Sequence, residues 1–152
     1  MKIVVTGAAG MIGTVLTERL SNSHHSLVLL SRRPPAENHA AKRQWLAWQP
    51  GVSGEWERAI DGADAVINLA GEPIAGKRWT AKQKEILRSS RIDGTKALVQ
   101  AMAKAKVKAK LLISSSAVGY YGPHGDEALN EDSKPGDDFL ARLCVDWETE
   151  AH

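Results

Sequence analysis

Hydrophobic positions fall in short dense runs, separated by longer stretches where they recur every three or four residues. Ile3–Val5, Leu27–Leu30, Ala63–Leu69 and Leu111–Ile113 are almost wholly apolar, as expected of parallel strands buried on both faces. Gln44–Trp48 reads as one more strand, stopped by Gln49-Pro50-Gly51. Met11–Leu20 predicts a helix with Ile12, Val15, Leu16 and Leu20 as its apolar stripe. Glu55–Ile60 predicts a short helix with Trp56 and Ile60 facing inward. Thr80-Ala81-Lys82-Gln83 fits a capping box at the start of a long helix over Ala81–Lys104. On that helix Leu87, Arg91, Thr95, Leu98 and Met102 share one face, turned to the sheet. Asp137 or Asp138 caps a last helix that carries Phe139, Leu143, Trp147 and Ala151 at four-residue steps. Pro34–Ala41 reads as a loop or a short irregular helix, and Pro123–Gly136 as a polar loop.

Strands and helices therefore alternate, which predicts an α/β fold with a doubly wound parallel sheet. Five strands in the order 3-2-1-4-5 place a nucleotide at the switch point between the first and fourth.

The residues at that switch point suit this ligand. Thr6-Gly7-Ala8-Ala9-Gly10-Met11-Ile12-Gly13 follows a strand and opens a helix, which is the context a glycine-rich dinucleotide loop requires. Gly7 permits a tight turn, Gly10 lets the main chain approach a pyrophosphate, and Gly13 lets the helix lie close to the strand. The helix start, with Met11 and Ile12, points N–H groups and a positive dipole end at the phosphates. The second strand ends in Ser31-Arg32-Arg33, with no Asp or Glu to take a ribose 2′-hydroxyl. Two guanidinium groups there suit a 2′-phosphate by charge and forked shape, so NADP(H) is expected over NAD(H). Leu69, Ala70 and Gly71 end the fourth strand with small residues that let a ligand come close. Arg91, in line with apolar residues, needs a carboxylate, carbonyl or phosphate partner. Ser114, Ser115 and Ser116 crowd the end of the fifth strand, and Tyr120 and Tyr121 follow.

Composition removes several alternatives. The 152 residues are 43% hydrophobic and 25% charged, in the ordinary range for one globular domain. A net charge of +2 favours neither nucleic acid nor an acidic membrane surface. Trp45, Trp48 and Trp56 read as packing groups, because a stacking platform would need a basic groove around them. Cys144 is the single cysteine, so an internal disulfide is impossible. His24 and His25 lack the Cys or carboxylate company of a metal site, and none is expected. No apolar run spans a bilayer, and the first strand starts too early for a signal peptide, so the expectation is a soluble cytoplasmic protein.

Five segments together resemble a known family. They are Thr6–Gly13, Asn68-Leu69-Ala70-Gly71-Glu72-Pro73-Ile74, Lys77-Arg78-Trp79-Thr80, Ser90-Arg91 with Gly94-Thr95, and Ser115-Ser116-Ala117-Val118-Gly119-Tyr120-Tyr121-Gly122. The chain resembles the extended short-chain dehydrogenase/reductase superfamily, and within it the epimerase-family subgroup sometimes labelled cell-division-inhibitor-like. The resemblance implies a Rossmann-type fold over 1–152 and a nicotinamide dinucleotide with a small-molecule substrate as ligands. It also implies that this is the N-terminal part of a protein of roughly twice the length, whose later strands and substrate lobe are absent. The last helix then packs against that part or against a second copy, as a homodimer.

Superfamily enzymes use a Ser or Thr at the fifth strand and a Tyr-x-x-x-Lys on the next helix. Ser116 matches the serine. An alignment anchored on Glu148 puts Leu140 at the tyrosine and Cys144 at the lysine, and Arg91 stands where the superfamily has an asparagine. Two readings fill that gap. In one, the protein is an oxidoreductase or epimerase in which Tyr120 or Tyr121 is the proton donor beside Ser116, with Arg91 stabilising the phenolate. In the other, the protein binds NADP(H) without turnover, as a sensor or regulatory module. Cys144 as a nucleophile is a third idea, set against the commoner role of a small buried hydrophobe.

Overall fold

In the computed structural model, which describes residues 1–36, 39–40 and 42–152, the apolar runs pair side by side. They form β1 (Lys2–Thr6), β2 (Ser26–Ser31), β3 (His39–Ala40), β4 (Arg43–Ala47), β5 (Ala65–Asn68) and β6 (Leu111–Ser114). The sheet order is β3-β4-β2-β1-β5-β6. Its parallel members follow the expected 3-2-1-4-5 order, since β4, β2, β1, β5 and β6 all pair in parallel. The addition is β3, which runs antiparallel to β4 at the edge. It falls inside the stretch expected to be a loop or irregular helix, and two residues are too few to show a period. Of that stretch, Glu37, Asn38 and Ala41 lie outside the described residues.

The helices are α1 (Met11–Asn22), α2 (Glu55–Ile60), α3 (Ala81–Lys104) and α4 (Phe139–Ala151). Strand residues alternate between two cores. Ile3, Val5, Leu27, Leu29 and Ile67 face α1, where Leu16 and Leu20 pack on them. Val4, Val28, Leu30 and Val66 face α2 and α3, meeting Trp56, Ile60, Leu98 and Ala101. Trp48 and Trp56 are buried edge to face, with centroids 6.4 Å apart, as packing groups. Beyond β5 the α1 face is open: Leu111 and Ile113 are 48% and 47% exposed.

The stripe expected on α1 is half corrected. Ile12 and Val15 are 64% and 59% exposed, and the helix instead buries Gly13 and Thr17, with Leu16 and Leu20 partly covered. The cause is Gly13. A Cβ there would lie 2.2 Å from the Gly7 carbonyl oxygen and 2.7 Å from the Ala8 Cα. That backbone contact sets the rotation of the helix about its axis and turns the preceding isoleucine outward.

Capping follows the sequence with one change. Thr80 accepts from the Gln83 N–H at 3.1 Å, and Asp138, not Asp137, accepts from the Ala141 N–H at 2.8 Å. The Thr80 N–H bonds to the Arg78 carbonyl, so the capping box is only half formed. Among the described residues, no helix is long and apolar enough to cross a membrane.

Candidate functional site

Thr6, Asn68 and Ser114 stand side by side at the C-terminal ends of β1, β5 and β6. All three share the face toward α3, and together they build a buried polar network. The Thr6 hydroxyl donates to Asn68 Oδ1 at 2.7 Å. It accepts the N–H groups of Leu69 and Ala70, each at 3.2 Å. Asn68 Nδ2 donates to Thr95 Oγ1 at 2.9 Å, and Trp147 Nε1 donates to the same oxygen at 2.9 Å. Thus β1, β5, α3 and α4 are tied at one point, and the chain leaving β5 has a fixed course past the glycine loop.

That loop is shaped by what it cannot hold. Gly7 has φ +66°, and a Cβ on it would lie 2.6 Å from the carbonyl carbon of Leu69. The Gly10 N–H bonds to the Gly7 carbonyl at 3.0 Å, closing the turn. Gly10 is the N-cap of α1 and carries no side-chain cap. The first intrahelical bond runs from Thr14 N–H to Gly10 C=O at 2.9 Å. Among the described residues, the N–H groups of Met11, Ile12 and Gly13 are thus left for a ligand at the dipole's positive end. No side chain projects from Gly7, Gly10 or Gly13, so the loop backbone packs closely and these N–H groups stay accessible, an arrangement suited to an anion at a helix start.

Past β5, Gly71 and Glu72 form a strap. Arg91 Nη1 donates to the Leu87 carbonyl and Nη2 to the Glu72 carbonyl, each at 3.1 Å. Its guanidinium carbon lies 5.3 Å from the centre of the Trp147 ring, a cation–π contact. So the partners demanded by a half-buried arginine are carbonyls and an indole. Burial lowers its pKa from the usual arginine value, partly opposed by Cys144 and Glu72 nearby. A side chain on Gly71 would touch that guanidinium at 3.0 Å. The strap is held from below by the Ser90 hydroxyl, which accepts the Glu72 N–H at 3.0 Å. The Glu72 carboxylate is bound by Lys77 Nζ at 2.6 Å. That hydrogen bond holds its pKa below the usual carboxylate value, with Arg32 and Gln83 helping.

The second half of the edge is an open pocket of about 430 Å³, lined by Ser116, Tyr120, Tyr121, Glu131 and Glu148. Val118–Tyr121 is a single 3-10 turn, and the two tyrosine rings meet edge to face with centroids 5.2 Å apart. The Ser116 hydroxyl donates to the Glu148 carboxylate, which reaches it from α4. A serine whose proton is engaged this way presents lone pairs to the pocket and can accept a hydrogen bond from a bound hydroxyl. Arg91 does not line this pocket. The structure brings Ser116 and Tyr120 together and sets Arg91 on the strap. Cys144 is buried, and burial pushes its thiol pKa up, which keeps it protonated. Leu140 packs near Gly119, whose Cβ would meet it at 3.3 Å.

The remaining expected site residues lie where the fold needs them. Ser31 ends β2, and its hydroxyl accepts the Arg33 N–H at 3.1 Å. Arg32 and Arg33 are exposed just beyond it. Sequence reasoning did not single out Glu148, Glu72 or Arg43 for the site. Their signals are tertiary: a carboxylate opposite a strand-end serine, a pair five residues apart, and a strand arginine facing the α1 side.

Comparison with known proteins agrees with this geometry. The family whose profile matches, over residues 3–152, is the NAD dependent epimerase/dehydratase family. Epimerase family protein MT2273 of Mycobacterium tuberculosis is 43% identical over 148 residues, covering 97% of this chain and 46% of that protein. The chain thus spans about half the length of the curated relatives it matches. The crystal structure of human epimerase family protein SDR39U1 (isoform 2) with NADPH superposes with a TM-score of 0.80 at 31% identity, covering 100% of this chain and 49% of that one. MoeE5 in complex with UDP-glucose and NAD superposes with a TM-score of 0.81 at 25% identity, covering 99% and 48%. With the parallel 3-2-1-4-5 sheet and the glycine loop at its switch point, these matches show that the chain belongs to the NAD dependent epimerase/dehydratase family.

Proposed function

We propose that this chain is the NADP(H)-binding part of an oxidoreductase or epimerase-like protein. The observation that carries the proposal is the side-chain-free cradle of Gly7, Gly10 and Gly13 facing an uncapped helix start, with Ser31-Arg32-Arg33 at the neighbouring strand end. Gly7, Gly10, Met11, Ile12 and Gly13 would hold the pyrophosphate, and the arginines after β2 the 2′-phosphate. Leu69, Ala70 and Gly71 form the floor on the β5 side. A bound nicotinamide supplies or takes up a hydride. The chain's own contribution is the proton. Tyr120 would give its phenolic proton to a substrate carbonyl oxygen, or as phenolate take one from a substrate hydroxyl, while Ser116, whose own proton is held by Glu148, accepts a hydrogen bond from that hydroxyl and orients it. Arg91 is a positioning residue, acting through the Gly71–Glu72 strap. The printed ligand of MoeE5, a sugar nucleotide, makes that class the first substrates to try.

One observation favours a second reading, a binding module without turnover. Cys144 is buried on α4, and in the alignment anchored on Glu148 it falls at the superfamily lysine and Leu140 at the tyrosine. Hydride exchange from NADPH separates the two. The assay runs against carbonyls and sugar nucleotides, on this chain and on a version extended to its relatives' length. Turnover abolished by Tyr120→Phe or Ser116→Ala establishes the enzyme. Tight cofactor binding with no turnover in either protein establishes the module.

A further inference from the structure

We infer that Arg43, on β4, joins Arg33 in holding the 2′-phosphate of an adenosine nucleotide. The inference rests on the cofactor reading above and divides its arginines differently. A pocket of about 480 Å³ opens between the glycine loop, α1, the middle of β2 with the turn that follows it, and the first half of β4. Ala8, Ala9 and Thr14 form one wall, and Arg33, Arg43 and Trp45 line the other side. Arg43 pairs in register with Leu27, and Trp45 with Leu29, so both lie on the face of the sheet that α1 covers. Arg33 enters the same space from the turn after β2.

Arg32 does not line this pocket. Arg43 supplies the second guanidinium from the neighbouring strand.

The charge balance selects the ligand. A phosphate monoester carries about −1.5 to −2 at neutral pH. Two forked guanidinium groups match it, and Glu18, the carboxylate on this pocket's rim, leaves the lining with net positive charge. A ribose 2′-hydroxyl offers nothing that requires a second arginine.

The test uses the adenosine half alone, so it does not depend on the nicotinamide site. Adenosine 2′,5′-bisphosphate and adenosine 5′-monophosphate are titrated calorimetrically into the chain and its Arg32→Ala, Arg33→Ala, Arg43→Gln and Arg43→Lys variants. Loss of one charge-assisted contact lowers affinity about tenfold or more. Arg33→Ala and Arg43→Gln are expected to weaken the bisphosphate by that factor, with the monophosphate within about twofold. Arg43→Lys, which keeps the charge and loses the fork, falls between. Arg32→Ala moves both nucleotides together and leaves their ratio unchanged. A ratio kept in Arg43→Gln and lost in Arg32→Ala overturns the proposal. Equal binding of both nucleotides by the parent chain overturns the phosphate pocket and leaves nucleotide binding standing. Binding of neither overturns both.

Discussion

Replacing Thr95 by Val removes one oxygen from the centre of the edge network and leaves its volume unchanged. That oxygen accepts from Asn68 Nδ2 and from Trp147 Nε1, both at 2.9 Å. Thr95, Asn68 and Trp147 are 0%, 1% and 5% exposed, so water cannot take the vacated place. Each buried donor left without a partner costs about 1–3 kcal/mol. Asn68 Nδ2 retains only a long contact of 3.5 Å to Ser114 Oγ, which softens its share little. The expected loss is therefore about 2–5 kcal/mol, or about 5–15 °C in Tm for a chain of this size. The control is Thr95→Ser, which keeps the acceptor and loses a methyl group, at about 1 kcal/mol. Equilibrium unfolding in urea, followed by tryptophan fluorescence, measures both. The valine variant should show a much lower midpoint at unchanged slope. Equal loss in the two variants would refute the reasoning, since packing and not hydrogen bonding would then hold the strand ends together.

Other consequences follow from single positions. Gly13→Ala should destabilise the chain by more than about 2 kcal/mol and abolish nucleotide binding, although helix propensity alone favours Ala by about 1 kcal/mol. The added Cβ meets the Gly7 carbonyl at 2.2 Å, whereas Gly125→Ala meets nothing within 4 Å and should be neutral by thermal melting. Glu72 has a folded pKa below its ordinary value of 4.5, so its contribution is present above that value and lost as pH falls through the lower one. Glu72→Gln should flatten that part of the acid limb in urea midpoints measured against pH. High salt should shrink the difference between the two proteins, because Lys77 is 61% exposed.

Much of the fold was legible because its strands are buried on both faces. Continuous apolar runs such as Leu27–Leu30 announce a parallel sheet without help from tertiary context. The glycine loop was legible for a steric reason: a position that must lack a Cβ can hold only one residue type. The rotation of α1 was not. Ile12 and Val15 satisfy a helical stripe as well as Leu16 does, and only the Gly13–Gly7 backbone contact decides which side is covered. Arg91 announced that it needed a partner, but spacing could not say whether that partner was a tyrosine or the Glu72 carbonyl. Ser116 was visible as a strand-end hydroxyl. Its partner Glu148 lies 32 residues away on α4, and no local pattern connects the two.

If the loop and the arginines form an NADP(H) site, a cofactor titration reads it out without any substrate. The chain has five tryptophans, whose emission overlaps the absorption of reduced nicotinamide, so binding of NADPH and NADH can be followed by tryptophan quenching. Saturable binding of both is expected, with NADPH tighter by about tenfold or more from its extra charge-assisted contacts. Equal affinities would contradict the arginine assignment, and saturation by neither would contradict the site itself.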